Sequence, residues 1–170
     1  MDKKRARNFS KIYNHNIERI YRFVYIKVSS QQIAEDLTSE VFVRFWRTYQ
    51  KHGQGRIKNP KAFLYKIARN SVIDYYRRKP VSETISTEEI GEIPDPGQQL
   101  EQKQIIASDR ERTQRAIACL KGDYQDVILW HYLDGMPVRD IAEILDKSEN
   151  AVRVMIHRAM KELRENLEKV

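Results

Sequence analysis

Residues 137–160, PVRDIAEILDKSENAVRVMIHRAM, contain two short helical patterns separated by a tight turn. The apolar residues recur at helical spacing on both sides of Asp146 and Lys147, and Ser148 stands where a hydroxyl caps a following helix. Ala142 supplies a small side chain at which two helices can cross closely. Because so short a turn sets helices at a steep angle, the stretch predicts a helix-turn-helix whose second helix protrudes.

The predicted second helix carries a polar face that suits the major groove of duplex DNA. The N-terminal part of a protruding helix can enter that groove, where side chains reach base edges. Arginine can pair with guanine or clamp phosphate, and glutamate can accept a hydrogen bond from cytosine. The residues that we expect to contact a duplex are Ser148, Glu149, Asn150, Arg153, His157 and Arg158, with the apolar Val154 on the same face.

The turn departs from the usual pattern in one respect. Many such turns hold glycine followed by an apolar residue, whereas this chain has Asp146 and Lys147. Aspartate tolerates the left-handed backbone conformation moderately well, so we expect the turn to form at some energetic cost. A plain helical hairpin with a solvated polar face remains the alternative interpretation of this segment.

The overall composition is that of a folded protein with a reduced thiol. The 170 residues are 41% hydrophobic and 32% charged, values that exclude a disordered chain. Cys119 is the only cysteine, which excludes a disulfide framework and a cysteine-based zinc cluster. No apolar run approaches the ~20 residues that span a bilayer, and the basic N-terminus lacks an apolar signal-peptide core. We therefore expect a cytoplasmic protein.

The net charge of +7 is distributed very unevenly along the chain. Residues 1–79 contain 19 basic and 6 acidic residues, residues 80–104 contain 1 and 6, and residues 105–170 contain 11 and 12. The middle stretch holds three of the five prolines, no aromatic residue and no sustained period, which predicts an acidic flexible linker. It divides the chain into two modules, and the +13 of the first module indicates an anionic partner.

Both modules show helical periodicity, so we predict an all-α fold of two small helical domains. Ser29 and Gln32 occupy the positions of a capping box before the second helix. Asn59, followed by Pro60, is the predicted cap of the third helix, and Asp123 is that of the fifth. The predicted helices cover about 9–28, 31–49, 60–78, 102–120, 124–133, 138–145 and 149–167.

Three motifs follow one another along the chain, namely AEDLTSEVFVRFWR (34–47), AFLYKIARNSVIDYYRRK (62–79) and the helix-turn-helix with its tail HRAMKELR (157–164). Together they resemble an extracytoplasmic-function type sigma factor of bacterial RNA polymerase. The family has a sigma region 2 domain, a variable linker and a sigma region 4 domain. The resemblance implies that these correspond to residues 1–79, 80–104 and 105–170.

The first motif resembles the segment that docks on the clamp helices of the largest polymerase subunit. A helix with charged residues outside and apolar residues inside suits a polar partner helix. The residues that the resemblance places near this interface are Asp36, Leu37, Glu40, Phe42 and Trp46. For Phe42 and Trp46 a purely structural place in the core is the alternative.

The second motif resembles the element that recognises and melts the −10 promoter element. Strand opening needs a basic groove for the freed backbone and a pocket for an unstacked base, and the amide of Asn70 could read that base. The residues implied here are Lys61, Lys66, Arg69, Asn70, Tyr75, Tyr76, Arg77 and Arg78, with Lys79, Phe63 and Tyr65 interleaved. Phe63 and Tyr75 fall at helical spacing with Ile67, so a core position is the alternative for both.

The helix-turn-helix then resembles the reader of the −35 element, and the acidic linker resembles the family segment that threads toward the polymerase channel. For the linker, a plain flexible tether is an equal alternative. The implied partners are RNA polymerase core and promoter DNA, and family members commonly also bind an anti-sigma factor. No cofactor, metal or small-molecule substrate is implied.

The sequence contains no motif of an enzyme. Its four histidines are scattered, and HExxH, a glycine-rich phosphate loop and a nucleophile elbow are all missing. The competing function is a polymerase-independent helix-turn-helix regulator whose N-terminal helices dimerise or bind a ligand. The basicity of residues 1–79 and the aromatic residues beside basic ones in 62–79 argue against it.

Overall fold

The structure, a computed structural model, describes residues 3–52, 56–79 and 100–169. These residues form seven α-helices and no β-strand, which confirms the predicted all-α fold. The helices are α1 (Lys3–Val28), α2 (Gln31–His52), α3 (Pro60–Arg78), α4 (Leu100–Ala118), α5 (Gly122–Ile128), α6 (Val138–Leu145) and α7 (Glu149–Lys169).

The helices belong to two compact units. We call the unit built on α1–α3 the first unit and the unit built on α4–α7 the second unit. Helix α4 begins earlier than predicted, so residues 100–104, which the composition assigned to the linker, are helical. Residues 80–99 lie outside the described residues, and the acidic flexible linker stays a prediction.

The first unit is a three-helix arrangement in which each helix packs against the other two. Its core combines aliphatic and aromatic side chains, each large one stabilising the fold by about 1.5–3 kcal/mol through burial. Those at most 2% exposed include Ile20, Phe23, Val24, Val41, Phe45, Leu64, Tyr65 and Ala68.

The junction between α1 and α2 differs from the predicted capping box. Ser29 has φ +52° and its backbone N–H donates to the carbonyl of Tyr25 at 2.8 Å, so it ends α1 in a left-handed conformation. Ser30 is the residue that caps α2, since its Oγ accepts from the N–H of Ile33 at 3.5 Å. Of these two adjacent serines, the first therefore ends α1 and the second caps α2.

The start of α3 follows the predicted pattern. The side chain of Asn59 accepts a hydrogen bond from the N–H of Ala62 at 3.1 Å, and Pro60 occupies the first turn. Proline is well suited to this place because its missing N–H has no helical partner there. These local interactions fix the N-terminus of the basic helix.

The second unit packs α7 against α4 and α5. Its fully buried side chains are Ala116, Val127, Trp130, Met136, Ile141, Val152 and Ala159. The prediction that Asp123 caps α5 is wrong, because the helix begins at Gly122 with Lys121 as its N-cap residue. Asp123 lies in the first turn, where its carboxylate complements the positive end of the helix dipole.

A π-helical turn, Leu129–Leu133, continues α5. It buries Trp130 completely and leaves Tyr132 exposed. Gly135, at φ +60°, turns the chain so that the N–H of Met136 donates to the carbonyl of Trp130 at 2.8 Å.

The turn between α6 and α7 forms as the sequence predicts. Asp146 has φ +52°, the left-handed conformation, and the N–H of Lys147 donates to the carbonyl of Ala142 at 3.0 Å. Ser148 then caps α7, its Oγ accepting from the N–H of Ala151 at 3.1 Å. The cap and the turn together define where the exposed face of α7 begins.

Candidate functional site

The N-terminal half of α7 presents a largely polar face that also includes the exposed Val154. Its inward residues are buried, namely Val152, Ile156, Ala159 and Leu163. All six residues predicted to contact a duplex are exposed: Ser148, Glu149, Asn150, Arg153, His157 and Arg158. Because the apolar stripe is fully used by the core, this polar face is left available for a partner.

Arg153 is held by a small hydrogen-bond network on this face. Its Nη2 donates to Oε2 of Glu149 at 3.0 Å, and its Nη1 donates to Oδ1 of Asn150 at 3.2 Å. Each terminal nitrogen of a guanidinium carries two protons, so donors remain for a base or a phosphate. The network therefore holds Arg153 beside the helix N-terminus without using up its donors.

Helix α3 carries the predicted basic surface of the first unit. Along it, Lys61, Lys66 and Arg69 are half-buried. Asn70 is exposed, as are Arg77 and Arg78 in the last turn.

Tyr75 and Tyr76 form an edge-to-face pair at the C-terminal end of α3. Their ring centroids lie 5.2 Å apart, and Nζ of Lys79 lies 6.0 Å from the centre of the Tyr75 ring. The hydroxyl of Tyr76 donates to the backbone carbonyl of Lys27. Burial, with a smaller contribution from Tyr75, raises the pKa of Tyr76 above its ordinary value. The hydroxyl is thus committed to the fold.

Two of the interleaved aromatic residues, Tyr65 and Phe63, differ in how deeply they are buried. Tyr65 is fully buried and packs edge to face on Phe23, with ring centroids 5.9 Å apart. Phe63 is half-buried, with its ring 5.9 Å from that of Phe45. We therefore remove Tyr65 from the predicted DNA-facing set, because its ring has no exposed surface.

Helix α2 places some of the expected polymerase-docking residues on its surface. Asp36 and Glu40 are exposed, and Glu40 accepts from the guanidinium of Arg44 one turn later. Leu37 is half-buried. The carboxylates share one face of the helix because they stand four positions apart.

Phe42 and Trp46 take part in the aromatic packing between α1 and α2. Phe42 is 4% exposed and its ring lies 4.8 Å from that of Tyr13. Trp46 is half-buried, with its ring 4.5 Å from that of Phe9. For Phe42 the core alternative is correct, since a side chain this buried has no surface left for a partner.

The residue that sequence reasoning missed on this helix is Val43. It is 47% exposed, whereas its neighbour Phe42 is buried. Val43 stands three positions after Glu40 and seven after Asp36, so it continues the same exposed stripe. Its spacing of seven positions, or two helical turns, from Asp36 is the sequence signal for this exposed position.

Two negative findings apply to the described parts of the chain. Among these residues, no group of three or more histidine, cysteine, aspartate or glutamate side chains is placed to hold a metal ion. No helix here combines the length and apolar character needed to cross a membrane.

Family models match both units. The model described as Sigma-70 region 2 matches residues 12–80, and the model described as Sigma-70, region 4 matches residues 110–163. The two matches together take in α2, α3, α6 and the predicted base-contacting half of α7.

Curated relatives resemble the chain over most of its length. The chain is 28% identical to the ECF RNA polymerase sigma factor BldN of Streptomyces coelicolor, over 91% of this chain and 58% of that protein. It is 25% identical to SigM of Bacillus subtilis, covering 90% of this chain and 91% of the relative. It is 28% identical to SigX of the same species, covering 94% and 84%. The chain thus spans little more than half of BldN but most of SigM and SigX.

Solved structures share the fold. The sigma factor RpoE of Bartonella quintana, crystallised with the anti-sigma factor NepR, gives a TM-score of 0.74 at 21% identity, covering 95% of this chain and 97% of that one. CnrH, in complex with the cytosolic domain of CnrY, gives a TM-score of 0.70 at 18% identity, covering 96% and 90%. At these identities the likeness shows the fold alone.

Proposed function

Because this chain belongs to the sigma-70 family as an extracytoplasmic-function sigma factor, it directs RNA polymerase to specific promoters, and we propose how its residues divide that work. Residues 1–79 bind polymerase core and the opened −10 element. Residues 105–170 read the −35 element as duplex. Residues 80–104 connect the two.

In the −35 assignment, α7 enters the major groove with its first two turns. Arg153 reads a guanine edge, while Asn150, His157 and Arg158 contact neighbouring base edges or phosphates. Their exposure supports this assignment, as does the hydrogen-bond network that positions the Arg153 guanidinium. Ser148 and Glu149 lie at the helix N-terminus, where a phosphate or a cytosine amino group can approach.

In the −10 assignment, α3 binds a single strand. Arg77 and Arg78 contact its phosphates, and the exposed amide of Asn70 reads the Watson–Crick edge of an unstacked base. The ring of Tyr75 or Tyr76 offers a stacking surface for that base. The hydroxyl of Tyr76 already donates to the backbone carbonyl of Lys27, so only the ring of Tyr76 is available for this contact. The +13 charge of residues 1–79 supports binding to a nucleic-acid backbone.

In the polymerase assignment, the exposed stripe of α2 docks on core. Asp36 and Glu40 supply its charge, and Val43 supplies its apolar contact. Leu37 and Trp46 lie at its edge, where their half-buried side chains keep some surface. Phe42 supports this stripe from inside the first unit.

One observation carries the proposal: the region 2 and region 4 models match the two units in the family's order. The test is run-off transcription by purified core polymerase from a promoter recovered by selection with the holoenzyme. Transcription that depends on the chain supports the proposal. Tight duplex binding without any association with core would favour the polymerase-independent regulator instead.

Partners, place of action and chemistry follow from the same proposal. The protein acts in the cytoplasm, on polymerase core and promoter DNA, and performs no catalysis of its own. An anti-sigma factor is a further proposed partner, supported by the fold shared with RpoE, whose structure contains NepR. Co-purification of the chain from its source cells, before and after an inducing stress, tests for such a partner.

A further inference from the structure

Val154 is an aliphatic side chain that stands 49% exposed in the second turn of α7. Val152 and Ile156, each two positions away, are 0% and 7% exposed. Two residues turn an α-helix by ~200°, so Val154 points almost directly away from the core of the second unit. Among the side chains of this face, it is the one aimed most nearly at the floor of a groove that receives the helix.

The surroundings of Val154 are polar and basic. Asn150 precedes it by one turn, Arg158 follows it by one turn, and Arg153 and His157 lie on its flank. A single exposed aliphatic residue on a protein surface is ordinary and needs no explanation. Val154 differs because the residues around it are those that the proposed function assigns to base edges and phosphates.

The major groove offers one apolar group to such a side chain. The base edges there present hydrogen-bond donors and acceptors, and only thymine adds a methyl group, at C5. A valine facing the other edges displaces water from polar atoms without replacing the hydrogen bonds. The side chain therefore favours a thymine, on either strand, at the one base pair that it faces.

We propose that Val154 is a specificity-determining residue of α7, which selects a T·A pair within the −35 element through the thymine C5-methyl group. The proposal rests on the proposed −35 reading by this helix. It adds a hydrophobic contact to the hydrogen bonds assigned to Arg153 and its neighbours.

The experiment uses the full chain assembled with core polymerase. Promoter sequences are first selected from a library with the wild-type holoenzyme, and each thymine of the recovered −35 element is then replaced singly by uracil, which removes only the methyl group. We expect one position at which the replacement weakens promoter binding about fourfold, the effect of burying one methyl-sized group. In a holoenzyme carrying Val154→Ala, the same replacement is expected to have no effect.

Leu133→Ala is the matched control, because Leu133 is an aliphatic residue of similar exposure, 48%, that lies outside α7 and outside the proposed docking stripe. It should leave the response to uracil unchanged. Sensitivity to uracil that is equal in the wild type and in Val154→Ala would overturn the proposal, as would a selected −35 element without thymine on either strand. If the holoenzyme enriches no −35 sequence at all, the proposed function fails as well.

Discussion

The guanidinium of Arg153 donates to the carboxylate of Glu149, one turn earlier in α7, at 3.0 Å. Both side chains are exposed, so this ion pair adds little to the stability of the fold. Its consequence is positional, because it keeps the long arginine side chain beside the N-terminus of the helix. A base-reading arginine that is already ordered loses less side-chain entropy on binding DNA.

We expect Arg153→Ala to reduce discrimination between the preferred −35 base and its substitutes by about 1–3 kcal/mol, because a bidentate contact to guanine is lost. Promoter binding by the holoenzyme, measured on templates with single base changes, checks this. Arg164→Ala removes the same charge from an exposed position later in α7 and is the control. Equal discrimination in both variants would contradict the assignment.

We expect Asn70→Ala to slow the opening of promoter DNA while leaving the association with core unchanged. The loss of one hydrogen bond to an unstacked base should cost roughly 1 kcal/mol, about fivefold in the open-complex population. Permanganate footprinting of −10 thymines gives the readout. Asn14→Ala, at an exposed position on α1, serves as control, and normal melting by Asn70→Ala would refute the role.

We expect Asp36→Arg to weaken the binding of core polymerase at least tenfold, or ~1.4 kcal/mol, because the change reverses a charge on the proposed docking stripe. Titration of labelled protein with core measures the affinity. Glu18→Arg makes the same charge reversal at an exposed position on α1. If the two variants bind core equally well, the docking stripe is misassigned.

We expect adjacent serines to give stability changes of opposite sign. Ser29→Gly should stabilise the first unit by about 0.5–1 kcal/mol, since glycine adopts a positive φ without the steric cost of a side chain. Ser30→Ala should destabilise it by about 1 kcal/mol, since the cap of α2 is lost. Urea unfolding followed by Trp46 fluorescence, in a Trp130→Phe background, measures both changes. Changes of the same sign would contradict this account of the junction.

We expect the first unit to lose stability at high pH in part through Tyr76. Its pKa is raised in the folded protein, mainly by burial, so its contribution is full below the ordinary value of ~10 and is lost as the pH rises through the raised value. Tyr76→Phe should lower the free energy of unfolding by about 0.5–1.5 kcal/mol at neutral pH, because the hydrogen bond to Lys27 is lost. When the pH is raised above 10, the free energy of unfolding of the variant should fall by less than that of the wild type. Unfolding curves of the wild type and the variant at pH 7 and above pH 10 give these free energies. An equal fall in the free energy of unfolding of both proteins would exclude this role for Tyr76.

Much of the fold could be predicted because it depends on interactions between near neighbours. The cap at Asn59, the cap at Ser148 and the left-handed turn at Asp146 each involve residues within four or five positions. The errors at Ser29 and Asp123 are shifts of one or two positions in the same kind of interaction. At Ser29 a second serine stands next to it, and at Asp123 the helix begins one residue earlier without a side-chain cap, so only the complete backbone locates each boundary.

The residues of the candidate site likewise differ in how well the sequence predicts their exposure. On α7 the predicted base-contacting residues are all exposed, because one clear apolar stripe leaves the rest of the helix to solvent. On α2 and α3 the aromatic residues widen the apolar face so far that the helical period of the sequence no longer distinguishes buried positions from exposed ones. Phe42 and Tyr65 are consequently buried, although the sequence allowed both of them a surface role.

Local sequence patterns establish that the protein is helical, where most of its helices begin, and which face of α7 is polar, because periodicity and capping act within one helix. Packing between helices is what places Phe42 in the core while Val43 faces solvent. Both residues are apolar and adjacent, and the choice depends on how α2 is rotated against the aromatic residues of α1, among them Tyr13. That rotation is set by packing between residues far apart in the chain, which no local pattern records.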